Sequence, residues 1–239
     1  MEAIVLAGGL GTRLRAAVPD LPKSMAPIGD RPFLELLLAR LAAQGFRHVV
    51  LSLGYRAEMI VQYFGHQYAG MRLSHVIEPR PLGTGGGARL ALDRCEQDHV
   101  YLLNGDTFID LDYTGMEALW HRHREPIIVA REVDDVSRYG CLEVRDQQVV
   151  AFAEKGGGGS GLINAGCYVL GHGALDVFPV GIEFSLEKDF LSPLVGRSPC
   201  RLFVSGGYFI DLGIPEDYIK AQSELLPFLA TTTVAQAGT

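Results

Sequence analysis

MEAIVLAGGLGTRL, residues 1–14, is an apolar run that passes directly into a glycine-rich segment. Residues 1–7 have the length of a buried β-strand, and the glycines that follow are typical of a tight turn. Glycine lets the main chain approach an anion closely, so backbone amides here can cradle phosphates, and Arg13 can donate two directed hydrogen bonds to them. The turn is neither a Walker loop, which ends in Gly-Lys-Ser/Thr, nor a dinucleotide fingerprint, which needs a small residue in place of Leu14.

Strand-like and helix-like segments alternate from this turn to about residue 103. Apolar residues recur at helical spacing over residues 32–44, with Pro32 suited to the first turn and Gly45 to the end. Further strands are predicted at 48–53, 73–78 and 99–103, and further helices at 57–64 and 85–95. This alternation is typical of a parallel sheet covered on both faces, where ligands bind at the carboxyl ends of the strands.

The second half of the chain has a different pattern. Strand-like runs at 127–133, 141–144 and 149–153 are separated by short polar turns, which indicates a mixed sheet. The glycine-rich residues 156–160 are followed at once by a buried-strand pattern, so we expect a mobile surface loop there. We predict one α/β domain over residues 1–229, with a Rossmann-like three-layer arrangement and a mixed, mainly parallel central sheet, and a disordered tail over 230–239.

Composition excludes several classes of function. The net charge of −7 on 239 residues is incompatible with a broad basic surface for nucleic acid. The four cysteines form no Cys-x-x-Cys pair, which favours reduced thiols and a cytoplasmic location over a zinc site or disulfides. The first residues lack the pattern of a signal peptide, and no stretch of transmembrane length is free of charges, so we expect no membrane contact. A homodimer is compatible with the sequence.

Lys23 stands between two prolines, Pro22 and Pro27. Prolines stiffen the backbone and disfavour helix, so we expect an extended segment that holds the lysine ready for the charge of a triphosphate. A single lysine is more often simply exposed to solvent. The functional interpretation of this segment therefore depends on the glycine turn that precedes it.

Together these two segments resemble the sugar-1-phosphate nucleotidyltransferase family, whose signature joins a Gly-Gly-x-Gly-Thr-Arg-Leu loop to a Pro-Lys-x-Met segment. The resemblance continues in order to about residue 225, and motifs of this length and order rarely coincide by chance. It implies a glycosyltransferase-A-like fold and an enzyme that joins a nucleoside triphosphate to a sugar 1-phosphate, with Mg²⁺, and releases pyrophosphate. The later landmarks are Leu82-Gly83-Thr84-Gly85-Gly86, Asn104-Gly105-Asp106, Tyr139-Gly140, Glu154-Lys155, Asn164-Ala165-Gly166 and the segment from Phe209 to Pro215.

The resemblance also implies roles for individual residues. It assigns catalysis to Arg13, Lys23 and Asp106, and binding of Mg²⁺, a cation that prefers oxygen ligands, to Asp106 and Asp211. Each aspartate follows an apolar run and is expected at the carboxyl end of a strand; without the motifs, a turn former and a helix cap would explain them as well. The implied nucleotide-binding residues are Leu6, Ala7, Gly8, Gly9, Gly11, Thr12, Arg13, Glu78, Gly83, Thr84 and Asn104. The implied sugar-phosphate-binding residues are Gly140, Glu154, Lys155, Asn164 and Lys188, although Gly156 stands where the family usually has proline.

Glu78 bears on the choice of nucleotide base, because it stands where family members read the base edge. A carboxylate only accepts hydrogen bonds, and guanine offers two neighbouring donors, N1–H and the 2-amino group, whereas uracil and thymine offer one between carbonyls. The sequence therefore favours GTP. The compact chain is similar to the branch that makes GDP-heptose from D-glycero-α-D-manno-heptose 1-phosphate for surface polysaccharides, while mannose 1-phosphate, or another sugar with a pyrimidine nucleotide, stays open.

Two interpretations compete with this one. A regulatory protein could keep the fold to sense nucleotide-sugars without turnover, but it would be expected to lose charged positions that are present here. A glycosyltransferase that uses a finished nucleotide-sugar would need an Asp-x-Asp metal motif, and Asp110-Leu111-Asp112 has that spacing but lies beyond the end of the predicted strand.

Overall fold

The computed structural model describes residues 1–9, 11, 14, 18–153 and 158–229. Four predicted site residues, Thr12, Arg13, Glu154 and Lys155, lie outside the described residues, as do the predicted tail and part of the predicted 156–160 loop. The helices are α1 (Phe33–Ala43), α2 (Ala57–Phe64), α3 (Gly83–Leu92), α4 (Tyr113–His123), α5 (Ser192–Val195) and α6 (Pro215–Glu224), with a 3₁₀ turn at Lys23–Met25 and a π-helix at Leu186–Leu191. The strands are β1 (Glu2–Ala7), β2 (Pro27–Ile28), β3 (Arg31–Pro32), β4 (His48–Leu53), β5 (Gln67–Tyr68), β6 (Met71–Ile77), β7 (His99–Asn104), β8 (Thr107–Ile109), β9 (Ile127–Val133), β10 (Cys141–Arg145), β11 (Gln148–Ala153), β12 (Gly161–Gly171), β13 (Arg201–Ser205) and β14 (Phe209–Asp211).

One mixed sheet runs through the molecule in the order β10-β11-β13-β9-β12-β7-β1-β4-β6-β5. The predicted mixed sheet is confirmed. Parallel pairing joins β7, β1, β4 and β6, and also β9 and β13. The sheet as a whole is mixed rather than mainly parallel, because β12 is antiparallel to both β7 and β9 and β11 is antiparallel to β10 and β13. Between β10 and β11 a short turn replaces a helical crossover: Asp146 and Gln147, both at positive φ, join the two strands, and so tight a turn permits only antiparallel pairing.

Helices cover both faces of the sheet, because successive residues of a strand point to opposite faces. In β1, Ala3 and Val5 pack in the core that contains α1, α2 and α4. Between them, Ile4 packs in a second core with side chains of α3, α5 and the π-helix. The two cores place three layers in contact, as predicted. No helix in the described part of the chain combines the length and the apolar character that crossing a bilayer requires.

The predicted elements of the first half are confirmed to within a few residues, with one correction. Pro22 and Ala26 have extended ψ angles of 143° and 127°, but residues 23–25 between them form a single 3₁₀ turn. The prediction of a fully extended segment was therefore wrong at Lys23. Since the N–H of Met25 donates to the carbonyl of Pro22 at 2.8 Å, the proline supplies the acceptor that starts the turn.

The first turn of α3 is packed too closely for any side chain at Gly85, where an added Cβ would lie 2.2 Å from the Phe184 ring. That ring is buried and stacks on Phe178 with a centroid distance of 3.9 Å. Gly85→Ala is therefore expected to lower the free energy of unfolding by about 1–3 kcal/mol, measured by urea denaturation. Gly196→Ala is the control, because its nearest neighbour would be 3.9 Å away; equal stability of the two variants would contradict the packing argument.

Candidate active site

A cavity of about 860 Å³ opens at the carboxyl ends of β1, β4, β6 and β7. This is the edge at which an open α/β sheet binds its ligands. The cavity brings together twelve of the predicted site residues. These are Leu6, Ala7, Gly8, Gly9, Gly11, Lys23, Glu78, Gly83, Thr84, Asn104, Asp106 and Asp211.

The glycine turn after β1 lies against neighbouring main chain. A Cβ at Gly54 would lie 2.6 Å from the carbonyl oxygen of Gly8, and a Cβ at Gly8 would lie 2.7 Å from Oε1 of Glu78. At Gly11, where φ is +57°, a Cβ would lie 3.0 Å from the Cβ of Lys23. The turn therefore reaches from the glutamate to the lysine, and glycines keep its backbone open to a ligand's phosphates.

The fold brings Asp106 and Asp211 together although about a hundred residues separate them in sequence. The N–H of Gly105 donates to the carbonyl of Leu6 at 2.8 Å, which places Asp106 just beyond the ends of β1 and β7. Strands β8 and β14 then pair antiparallel, with Asp211 opposite Thr107, and the N–H of Leu212 donates to the carbonyl of Asp106 at 2.9 Å. Backbone hydrogen bonds thus fix both carboxylates beside each other.

Lys23 connects the two aspartates. Its Nζ donates to Oδ2 of Asp106 at 2.6 Å and lies 3.7 Å from Oδ1 of Asp211. Burial, followed by the charge of Asp106, raises the pKa of Asp211, while Lys23 opposes the rise. Two carboxylates held this close favour a cation between them.

The donor set fits Mg²⁺ better than a metal that is bound by protein ligands alone. Among the described residues, no three His, Cys, Asp or Glu side chains are grouped to hold an ion. Mg²⁺ is usually held by one or two carboxylates together with waters and substrate phosphates. Asp106 and Asp211 are the residues that would hold it, and the phosphates would complete the shell.

Asp211→Asn is expected to raise the melting temperature of the metal-free protein at pH 7. A raised pKa means that the ionised carboxylate is less favourable in the folded state than in the unfolded state. The protonated side chain of Asp211 therefore contributes its full stabilisation of the fold below the ordinary Asp pKa of about 3.9. This stabilisation is lost as pH rises through the higher pKa of the folded state. Circular dichroism melts at pH 4 and pH 7 should show a gain that disappears at the lower pH. The exposed Asp134→Asn is the control, and a lower melting temperature for Asp211→Asn at pH 7 would contradict the prediction.

Glu78 faces the cavity rather than the bulk solvent. Its Oε2 accepts a hydrogen bond from the N–H of Leu82 at 2.8 Å. Burial raises the pKa of Glu78, and the hydrogen bond from Leu82 opposes the rise. The carboxylate is thus held in place at the end of β6, beside Gly8.

Among the residues predicted for the sugar phosphate, the three that the structure describes, Gly140, Asn164 and Lys188, do not line this cavity. The N–H of Asn164 points to the carbonyl of Gly140 at 3.4 Å, so these two are neighbours, whereas Lys188 is exposed on the π-helix. The Asn164 amide donates to Oε2 of Glu187 and to the hydroxyl of Tyr168, each at 2.7 Å. The segment that contains Asn164 packs against the cavity wall at Gly166. An added Cβ there would lie 2.4 Å from the side-chain amide of Asn104, which lines the cavity.

Several residues that line the cavity were not predicted from the sequence, among them Ser52, Gly54, Tyr55 and Arg80. They follow or end β4 and β6, so the rule that ligands bind at carboxyl strand ends could have found them.

The competing Asp-x-Asp site is not formed: Asp110 forms an ion pair with Arg40, and Asp112 accepts the N–H of Gly115 as the N-cap of α4.

This chain is similar over more than nine-tenths of its length to guanylyltransferases and to a solved structure. The chain is 40% identical to a D-glycero-α-D-manno-heptose 1-phosphate guanylyltransferase of Aneurinibacillus thermoaerophilus, over 96% of this chain and 100% of that protein. It is 34% identical to a mannose-1-phosphate guanylyltransferase of Mycobacterium tuberculosis, over 96% of this chain and 66% of that protein. The crystal structure of HddC from Yersinia pseudotuberculosis complexed with GMP-PN superimposes with a TM-score of 0.84 at 38% identity, over 94% and 99% of the two chains. The nucleotidyl transferase family model matches residues 2–227, and the chain belongs to that family.

Proposed function

We propose that the protein transfers GMP from GTP to D-glycero-α-D-manno-heptose 1-phosphate, which gives GDP-heptose for surface polysaccharide and pyrophosphate. The observation that carries the proposal is the contact of Lys23 with both Asp106 and Asp211 at a cavity that Glu78 also lines. The guanylyltransferase relatives support the reaction class. The proposal includes a single glycosyltransferase-A-like domain over residues 1–229 and a cytoplasmic location, which four free cysteines favour.

The chemistry requires alignment and charge neutralisation more than acid–base catalysis. A phosphate monoester has a second pKa near about 6, so the attacking oxygen of the sugar phosphate is already ionised at neutral pH. Attack on the α-phosphorus expels pyrophosphate in line with the nucleophile, and the protein has to bring two polyanions together. When bound, Mg²⁺ would supply Lewis-acid stabilisation of the charge on the phosphates.

The chain's own groups divide this work. Lys23 now neutralises the charges of Asp106 and Asp211. When another cation neutralises these carboxylates, the ammonium group of Lys23 would be released to bind the triphosphate. The amides of the glycine turn would hold phosphate oxygens, and Glu78 would accept the two donors of guanine. Arg13 for the triphosphate, and Glu154, Lys155, Asn164 and Lys188 for the sugar phosphate, are assigned from the family resemblance.

Release of pyrophosphate across a substrate panel tests the proposal. GTP, UTP, dTTP and ATP should each be combined with heptose, mannose and glucose 1-phosphates, with Mg²⁺ or with EDTA. We expect turnover with GTP and the heptose phosphate that stops in EDTA, with kcat/KM at least about 10²-fold above that for the pyrimidine nucleotides. Faster reaction with mannose 1-phosphate would favour the activity of the Mycobacterium relative, and no turnover with any pair would favour a nucleotide-sugar sensor.

A further inference from the structure

Ser52 is a buried polar residue in the cavity wall with no evident structural use for its hydroxyl. It is the only serine or threonine in β4, whose residues are all buried, and it is 0% exposed. Its Oγ makes no hydrogen bond of standard geometry to the described residues. A buried hydroxyl without a partner costs roughly 1–3 kcal/mol, so such a group calls for an explanation.

The position of Gly87 shows what Ser52 lies against. A Cβ on Gly87 would lie 2.9 Å from Oγ of Ser52 and 2.7 Å from Oε1 of Glu78. The hydroxyl and the carboxylate therefore both pack against α3 at Gly87, where the helix has no side chain. The hydroxyl is also one of the groups that oppose the rise in the pKa of Glu78 caused by burial. It is therefore within hydrogen-bonding reach of the carboxylate, although the contact does not have standard hydrogen-bond geometry.

The other carboxylate oxygen already has a protein donor, the N–H of Leu82. Each carboxylate oxygen has two lone pairs and can accept one hydrogen bond from the protein and another from a ligand. With Leu82 behind Oε2 and Ser52 behind Oε1, the carboxylate could be held in one plane while both oxygens face a base. Ser52 lines the cavity but is fully buried, so its hydroxyl acts through the neighbouring carboxylate.

We propose that Ser52 is a positioning residue for Glu78: on nucleotide binding its hydroxyl donates to Oε1, so that the carboxylate presents both oxygens to N1–H and the 2-amino group of guanine. This inference rests on the proposed use of GTP. It adds a residue that acts on base selection only through another side chain, and it makes a rotation of the Ser52 hydroxyl part of nucleotide binding.

The test is a comparison of nucleotide affinities for Ser52→Ala without any sugar phosphate. Titration calorimetry with Mg²⁺ and GTP, inosine triphosphate or UTP measures the preference for guanine, since inosine triphosphate lacks the 2-amino group. Ser52→Ala should weaken GTP binding about tenfold, change UTP binding little, and reduce the preference for GTP over inosine triphosphate. Loss of a hydroxyl that served only the fold would instead lower the melting temperature and weaken all three nucleotides alike.

Ser24→Ala is the matched control, since Ser24 Oγ is also buried and has no hydrogen-bond partner in the described part of the chain, but lies beside Lys23. We expect that variant to keep the wild-type preference between GTP and inosine triphosphate. An unchanged preference in Ser52→Ala would overturn the role of Ser52. Equal affinities of the unaltered protein for all three nucleotides would overturn the base assignment as well, whereas failure of turnover with the heptose phosphate leaves the affinity ratios intact.

Discussion

Asp106→Asn is expected to lower kcat/KM for nucleotide transfer on the order of 10³-fold, with little change in the fold. The variant keeps the shape of the side chain and removes one of the two negative charges that meet at Lys23. Stabilisation of phosphate charge by a bound cation contributes several kcal/mol to such a reaction, and half of the protein's acidic ligand pair would be lost. Steady-state pyrophosphate release at saturating Mg²⁺ measures the effect.

Asp112→Asn provides a close control, because Asp112 caps α4 through the N–H of Gly115 and asparagine caps helices equally well. Its activity should equal that of the unaltered protein. The same pair of variants separates the two candidate metal motifs of the sequence. Strong loss of activity in Asp112→Asn but not in Asp106→Asn would move the metal to the Asp-x-Asp segment and contradict the site described above.

Glu78→Gln is expected to reduce the preference for GTP over UTP by about 10- to 100-fold, the range for loss of a bidentate contact to a base. The amide keeps one acceptor, which the N–H of Leu82 already uses, and turns an N–H₂ donor towards a base edge that also carries donors. UTP, which offers carbonyl acceptors, should bind no worse. The measurement is the ratio of kcat/KM values for the two nucleotides.

Glu58→Gln, an exposed change in the first turn of α2, is the control for the loss of one negative charge. It should leave the nucleotide ratio unchanged. If Glu78→Gln also kept the ratio, the base edge would be read by other groups at the cavity, and the choice of GTP would no longer rest on this carboxylate.

The sequence predicted the first half of the fold well, because local patterns decide it. The apolar runs of β1, β4 and β7 are long and buried, and the leucines of α1 recur at helical spacing, so each element could be recognised by itself. The predicted parallel pairing of these strands follows from the helices between them, since a parallel pair needs a crossover connection.

The second half depends on contacts that no local pattern encodes. Strand β12 lies between β7 and β9, and its register shifts between Asn164 and Tyr168. Whether such a strand runs parallel or antiparallel is decided by its partners and turns, so the sequence could indicate a mixed sheet there but not the direction of each pair. The 3₁₀ turn at Lys23 has a local origin instead, because the N–H of Met25 donates to the carbonyl of Pro22 three residues earlier, between flanking residues that do remain extended.

The site was predictable where family motifs cover it and obscure elsewhere. Asp106 and Asp211 were identified in advance, but only the pairing of β8 with β14 explains their proximity. Ser52 and Tyr55 lie in no motif, and a serine inside an apolar strand gives no sign that it borders a carboxylate from another strand. That both residues line the cavity is visible only in three dimensions.

The pairing of β8 with β14 also means that the two carboxylates beside Lys23 come from distant parts of the chain. The wall around the glycine turn is built from residues 1–106, whereas the second carboxylate is added only at residue 211. A growing chain on the ribosome therefore contains most of the residues of the cavity wall long before it has both acidic groups. A chain cut anywhere before β14 would lack the pair, so the acidic site is incomplete until residue 211 has been synthesised.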